Sequence, residues 1–213
     1  MDLWFSSVFL VVGLFLSSSA QTPEECKPLV TPLSMADPSV IYGRMNLIMG
    51  YVDNGIFNDI LKATESSWVN MSMSTSSPND LVMAQLYKMN GTCIRSNLTL
   101  NIEGDTAKSQ MGKVSFTFQL MPNCDGCMVT TVNSTFMNIN NSLQKMNFSS
   151  PTDKPEINAR ALYLFARGMT LEESDLEVFK KQASCLGFTR EPDFHYNPEN
   201  EFCKEDEGVM IIA

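Results

Sequence analysis

Histidine is almost absent from this chain: His195 is the only one in 213 residues. That excludes a multi-histidine metal centre and confines any histidine-dependent triad to one residue near the C-terminus, outside the candidate strands. A single histidine near a chain end is ordinarily a surface residue. No glycine-rich phosphate loop and no dinucleotide fingerprint occurs. Charge is sparse, at 18% of residues, and tilted to acid, with a net charge of −9. A negative surface argues against nucleic acid and anionic membrane as partners. It mildly favours cationic ligands, although acidity in a secreted chain commonly serves solubility. Asp53, Glu65 and Glu103 sit at strand ends, where acids are normally solvated. With no catalytic constellation, the reading is a protein that is not an enzyme and needs no cofactor or metal.

Long apolar runs are also missing, apart from LWFSSVFLVVGLFL at residues 3–16. That run is shorter than the roughly 20 residues a membrane span requires. Ser17-Ser18-Ser19-Ala20 follows it, and small residues at Ser18 and Ala20 suit cleavage before Gln21. Residues 1–20 therefore read as a signal peptide, with Asp2 standing where a basic residue is usual. Its loss leaves a net charge of −8, because it carries one acid and no base.

What is present fits secretion. Six cysteines (Cys26, Cys93, Cys124, Cys127, Cys185 and Cys203) argue for three disulfides, with 15 pairings open. Asn-x-Ser/Thr acceptor sites stand at Asn70, Asn90, Asn97, Asn133, Asn140 and Asn147, more than chance supplies, and point to a heavily glycosylated plasma-type protein. Cys124-Asp125-Gly126-Cys127, if reduced, would be a redox pair or a soft-metal chelate suited to an organotin. Beside a turn in a secreted chain, it reads instead as a small structural bridge.

The organisation is a series of short strands. Ile41–Asp53 comes first, after a stretch punctuated by Pro28, Pro32 and Pro38. SSWVNMSMS follows, ending in a turn cluster at residues 76–80, and LVMAQLYKM then ends at Asn90-Gly91, a strong hairpin signal. CIRSNLTLNI stops at Glu103-Gly104-Asp105. KVSFTFQLM alternates Val114, Phe116, Phe118 and Leu120 with polar residues, as a half-buried strand does. MVTTVNSTFMNI, LQKMNFS and ARALYLFA complete eight strands at the spacing of an up-and-down barrel, the last two separated by a turn with Pro151 and Pro155. After Gly168 the period becomes helical. Thr170 and Glu173 form a candidate capping box, and Leu186-Gly187 closes the helix. A short strand over 193–196 follows. The expected fold is all-β, an eight-stranded antiparallel barrel with one C-terminal helix packed outside. The domain spans 21–203 and is followed by a flexible tail over 204–213.

Gly43-Arg44-Met45 occupies the slot of the Gly-x-Trp signature of the lipocalins. With EECKPLVTPL, ESSWVNMS, GTCIRSNLTL, CDGC and EESDLEVFKKQASCLGF…FHY…EFCKED, the whole mature chain resembles that family. The similarity is to its branch of fish plasma proteins that bind saxitoxin, tetrodotoxin or tributyltin, near alpha-1-acid glycoprotein and apolipoprotein M. Met45 in place of the Trp leaves the barrel floor looser. The resemblance implies the disulfides Cys26–Cys185 and Cys93–Cys203, with Cys124 and Cys127 left for each other.

It also implies a ligand in the barrel, and parity says which residues face it. With Met45 at the plug position, Leu47, Met49 and Tyr51 point inward. A glycan on Asn70 turns that residue outward, which puts Val69, Met71 and Met73 inside and Trp68 outside. Matching the third strand to alpha-1-acid glycoprotein places Met83, Gln85, Tyr87 and Met89 inside. Phe116 and Phe118 form the apolar face of the fifth strand, and Tyr163 and Phe165 match inward positions on the last. Any bulge would invert these assignments. Tyr51, Tyr87, Tyr163 and Phe165 would form a π-rich wall able to hold a guanidinium by cation–π contact. The implied function is a secreted plasma carrier of a small molecule, saxitoxin/tetrodotoxin-type guanidinium toxins first. Tributyltin, other xenobiotics or a lipid are the alternatives within the fold. An isomerase with a barrel cysteine and a glycan-mediated immune modulator are the readings from other classes.

Overall fold

The structure, a computed structural model, describes residues 21–77, 79–146, 148 and 152–212. The candidate signal peptide, Pro78, Asn147 and Pro151 lie outside the described residues. Eight strands close a ring in which every neighbour is antiparallel. They are β1 (Gly43–Val52), β2 (Thr64–Met73), β3 (Asp80–Met89), β4 (Thr92–Glu103), β5 (Thr106–Met111), β6 (Val114–Met121), β7 (Cys127–Met137) and β8 (Glu156–Ala166). Ring closure leaves no unpaired edge among these strands, and alternation gives each an inward and an outward face.

The count of eight agrees with expectation only because two differences cancel. Thr106–Met111 is a strand that the sequence conceals, since its inward residues include the small Ala107 and Ser109 and carry almost no apolar signal. The described residues of LQKMNFS do not form a strand. Asn140–Lys145 forms a helix, α3, because Ile139, Leu143 and Met146 recur at helical spacing and pack with Ile157 on β8. The Asn90-Gly91 turn is where the sequence places it, with φ of 48° and 71°.

A single α-helix was expected, and the described residues contain three more. α1 (Pro23–Val30) opens with a capping box in which Thr22 and Glu25 exchange hydrogen bonds. α2 (Gly55–Ala63) lies between β1 and β2 and is capped by Asn54, whose side chain accepts from Ile56 N at 3.1 Å. α3 is the third. The C-terminal helix, α4 (Glu173–Cys185), begins later than the sequence suggests. The capping box at Thr170 does not form: Glu172 is the N-cap, and Leu171 instead packs against the outer face of the barrel. The helix ends as expected at Gly187, whose φ of +88° allows Phe188 N to reach back to Ala183 O.

α4 packs outside the barrel. Leu176, Phe179 and Ala183 press on Ile48, Tyr51, Leu162 and Leu164, and buried Gln182 donates to Leu29 O (2.9 Å) and Pro122 O (2.7 Å). The disulfides are Cys26–Cys185, Cys93–Cys203 and Cys124–Cys127, the same pairs that the resemblance implies. The first ties α1 to α4, and the second ties the tail to β4. Trp68 faces outward under that tail, its indole donating to Cys203 O at 2.8 Å. β9 (Phe194–His195) pairs with β1 within the predicted short strand. Part of the tail expected to be flexible, Val209–Ile212, forms β10, parallel to β4.

Candidate ligand-binding cavity

The barrel encloses a cavity of about 520 Å³, within the range of small-molecule sites. Leu47, Met71, Met83, Gln85, Tyr87, Phe116, Phe118, Tyr163 and Phe165 line it, as do Val69 and Met89. Met73, placed inside by the same parity, is 55% exposed at the end of β2.

Met49 and Tyr51 are corrections. β1 carries a bulge: Leu47 pairs with Phe165 and Met49 with Leu164, so Ile48 is an extra residue. Beyond it the parity of β1 inverts. Gly50 and Val52 turn inward. Met49 and Tyr51 join the outer cluster under α4, with the Tyr51 ring 5.8 Å from Phe179 and 5.6 Å from Phe188. The π-rich wall therefore consists of Tyr87, Tyr163 and Phe165 without Tyr51. Tyr163 and Phe165 meet edge-on at 6.1 Å.

The sequence reading missed the roof. α2 presents Phe57, Ile60 and Leu61 to the cavity, and the Phe57 ring packs at a tilt against Phe136 of β7, 4.6 Å between centroids. α3 and its flanks add Ile139 and Met146. Phe57, Ile60, Phe136, Ile139 and Met146 belong to one apolar cluster at this end of the cavity. The signal for α2 is in the sequence: Asn54 as cap, then Ile56, Phe57, Ile60 and Leu61 at helical spacing. α2 is anchored by Asp193, a buried carboxylate that accepts from Val52 N at 2.8 Å, from the Asn58 amide and from the Arg190 guanidinium.

The cavity's chemistry is dominated by methionine, leucine and phenylalanine. Among the described lining residues Lys113, exposed at the mouth, is the only charged side chain, and none is acidic. The polar groups deeper in are Gln85, Tyr87, Ser96, Thr130, Ser134 and Tyr163. Burial, then the negative charge of Asp193, pushes the Tyr163 phenol up to about 12. Burial first and then Tyr163 push Tyr87 above the ordinary phenol range, with Ser96 acting the other way. Both phenols remain protonated donors at physiological pH.

Among the described residues, the acids and the histidine singled out in the sequence lie away from the cavity. His195 is exposed on β9. Asp53, Glu65 and Glu103 pair with Arg160 (3.4 Å), Lys88 (3.9 Å) and Lys108 (2.5 Å) on the surface. All six cysteines are in disulfides, so an isomerase mechanism through a barrel thiol has no nucleophile, and Cys124 and Cys127 do not offer a dithiol.

No protein-family model and no curated protein sequence matches the chain. Solved structures do. The chain is similar to lipocalin 12 from rat epididymis, with a TM-score of 0.60 and 8% identity over 84% of this chain and 95% of that one. It is similar to siderocalin Q83, described as having a dual ligand-binding mode, with a TM-score of 0.55 and 14% identity over 80% and 96%. The bovine lipocalin allergen Bos d 2 follows at a TM-score of 0.50 and 17% identity over 71% and 88%. The fold is that of the lipocalins: a closed eight-stranded antiparallel barrel with a C-terminal helix outside it. Among the described residues, no helix is long and apolar enough to cross a membrane.

Proposed function

We propose that this protein is a secreted, glycosylated carrier that holds one small molecule in its barrel without covalent chemistry. The observation that carries the reading is the roofed cavity of about 520 Å³, lined by apolar and aromatic side chains with a few hydrogen-bonding groups. Pockets of that size and composition suit a drug-sized ligand. Methionines on several walls (Met35, Met71, Met83, Met89 and Met128) adapt to different shapes. Residues 1–20 act as the signal peptide, and the exposed Asn90, Asn97 and Asn133 are the sequons best placed for glycans.

The ligand class this lining favours has a predominantly apolar body, as tributyltin or a lipid does. A second reading, the guanidinium toxins of the saxitoxin and tetrodotoxin type, is favoured by the two tyrosines, Tyr87 and Tyr163, in one pocket. The absence of a carboxylate among the described lining residues weighs against it, because a buried cation without a counter-charge is costly. Native mass spectrometry of the secreted full-length protein with tributyltin, a long-chain lipid, saxitoxin and tetrodotoxin in parallel tests both readings. Saturable, one-to-one binding lost on Phe118→Ala supports the carrier. Failure of every ligand to bind refutes it, and toxin binding without lipid or tributyltin binding promotes the second reading.

A further inference from the structure

Three of the hydrogen-bonding groups of the cavity, Gln85, Tyr87 and Ser96, gather on the neighbouring strands β3 and β4. Gln85 on β3 and Ser96 on β4 are cross-strand partners, as are Ser67 on β2 and Tyr87 on β3. Tyr163 on β8 is near enough to Tyr87 to act on its ionisation. The opposite side of the ring is different. β3 and β7 lie four strands apart, diametrically across, and there Phe136 meets Phe116 of β6 edge-on at 5.6 Å. Phe118 follows at 6.0 Å from Phe116. The β3–β4 wall thus carries Gln85, Tyr87 and Ser96, and the β6–β7 wall carries the rings of Phe116, Phe118 and Phe136 beside Thr130 and Ser134.

Thr130 and Ser134, on β7 with Phe136, spend their hydroxyls on the barrel itself, donating to Gln119 O at 3.0 Å and Ala159 O at 3.2 Å. Gln85 and Tyr163 have no hydrogen-bond partner for their side chains among the described residues. Ser67 shares the face of Val69 and Met71 by alternation, is 1% exposed, and its hydroxyl has no partner among the described residues. Buried polar groups left unpaired cost free energy, which a matching ligand group recovers. The β3–β4 wall offers the cavity donors and acceptors but no charge. An ammonium or carboxylate drawn to it would lose its hydration without meeting a counter-ion.

We infer that Gln85, Tyr87, Ser96 and Tyr163, backed by Ser67, form a subsite for a neutral oxygen-bearing end (hydroxyl, carbonyl or amide) of a ligand whose apolar body lies against Phe116, Phe118 and Phe136. The inference rests on the barrel being the binding site. It adds the ligand's class and its orientation. It also accounts for the polar residues on β3 and β4 at positions where an ordinary barrel core would carry aliphatic ones.

The test uses the secreted full-length protein and four matched medium-chain probes: an alkane and its terminal alcohol, amine and carboxylate, each competed against a fluorescent apolar reporter at pH 7. The alcohol binds about 5–10-fold tighter than the alkane, the gain of a net hydrogen bond or slightly more. The charged probes bind at least about tenfold more weakly than the alcohol. Tyr87→Phe, which keeps the ring, and Gln85→Leu each erase the alcohol's advantage. Tyr51→Phe, on the outer face, retains it. Equal affinity for all four probes overturns the subsite and leaves the carrier reading standing. A carboxylate preference lost on Lys113→Met also overturns it, in favour of an anion at the mouth. Displacement by none of the probes, the alkane included, overturns the carrier reading as well.

Discussion

Tyr163 on β8 lies directly over Gly50 on β1: a Cβ built on Gly50 would come within 3.0 Å of the Tyr163 ring and 3.3 Å of Leu61 on the roof helix. The two residues are cross-strand partners, so the ring fills the space that a side chain on β1 would occupy. Gly50 is inward-facing only because of the bulge at Ile48. Gly50→Ala therefore forces the Tyr163 ring and the Leu61 side chain to shift. Overpacking of this kind costs about 1–3 kcal/mol. We expect a denaturation midpoint lowered by that amount and ligand affinity reduced by roughly tenfold, read by titration.

Tyr51 separates stability from binding. Its ring packs on Phe179 and Phe188, away from the cavity. Tyr51→Ala should lose about 3–5 kcal/mol, the cost of truncating a buried aromatic, while ligand affinity per folded molecule stays unchanged. Phe118→Ala should show the larger effect on affinity. Urea denaturation and ligand titration of both variants check the contrast.

The roof hangs on one carboxylate. Asp193 ties Val52, Asn58 and Arg190 together, linking β1, α2 and the segment before β9. Asp193→Ala leaves the buried Val52 N–H without its acceptor, while half-exposed Arg190 keeps Val52 O, at a cost of about 1–3 kcal/mol. Before global unfolding, hydrogen exchange over Gly55–Ala63 should rise and ligand should leave faster. Unchanged exchange in α2 would show that Phe57 packed against Phe136 holds the roof unaided.

Alkaline pH should destabilise the fold in a definite window. An unfolded tyrosine ionises near 10, whereas Tyr51 and Tyr163 are each pushed up to about 12, in both cases chiefly by burial, and Tyr87 higher still. Above the unfolded value the unfolded chain releases phenolic protons that the native state retains. Stability is thus fully present below about pH 10 and falls from there towards the folded values, by about 1.4 kcal/mol per pH unit for each such phenol. Absorbance at the phenolate band should rise in step with unfolding for these three residues.

The disulfides differ in worth. Cys26–Cys185 spans 159 residues and Cys124–Cys127 only 3. In the chain-entropy model the long loop contributes about 5 kcal/mol and the short one about 2. Replacing both members of each pair by Ser, with melting followed by circular dichroism, should rank them in that order. α1 buries none of its own residues, so loss of Cys26–Cys185 should release α1 while the barrel remains assembled.

The barrel was legible in the sequence because strands and turns announce themselves locally. Asn90-Gly91 marks a hairpin through its own backbone preference, and alternation along KVSFTFQLM marks a half-buried strand. Six cysteines read as three disulfides, and three are present. Composition likewise left no material for a histidine-based site. β5 was hidden because Thr106–Met111 has small inward residues, and α3 because a short apolar-polar run fits either period. What only the tertiary structure decided is the direction of individual side chains. A single extra residue, Ile48, moved Met49 and Tyr51 from the cavity to the outer face, and no local pattern distinguishes a bulged strand from a regular one. The roof helix, the cavity lining and the open volume are likewise properties of strands brought together from distant parts of the chain. Their contacts are set by closure of the ring, which a linear pattern of residues does not contain.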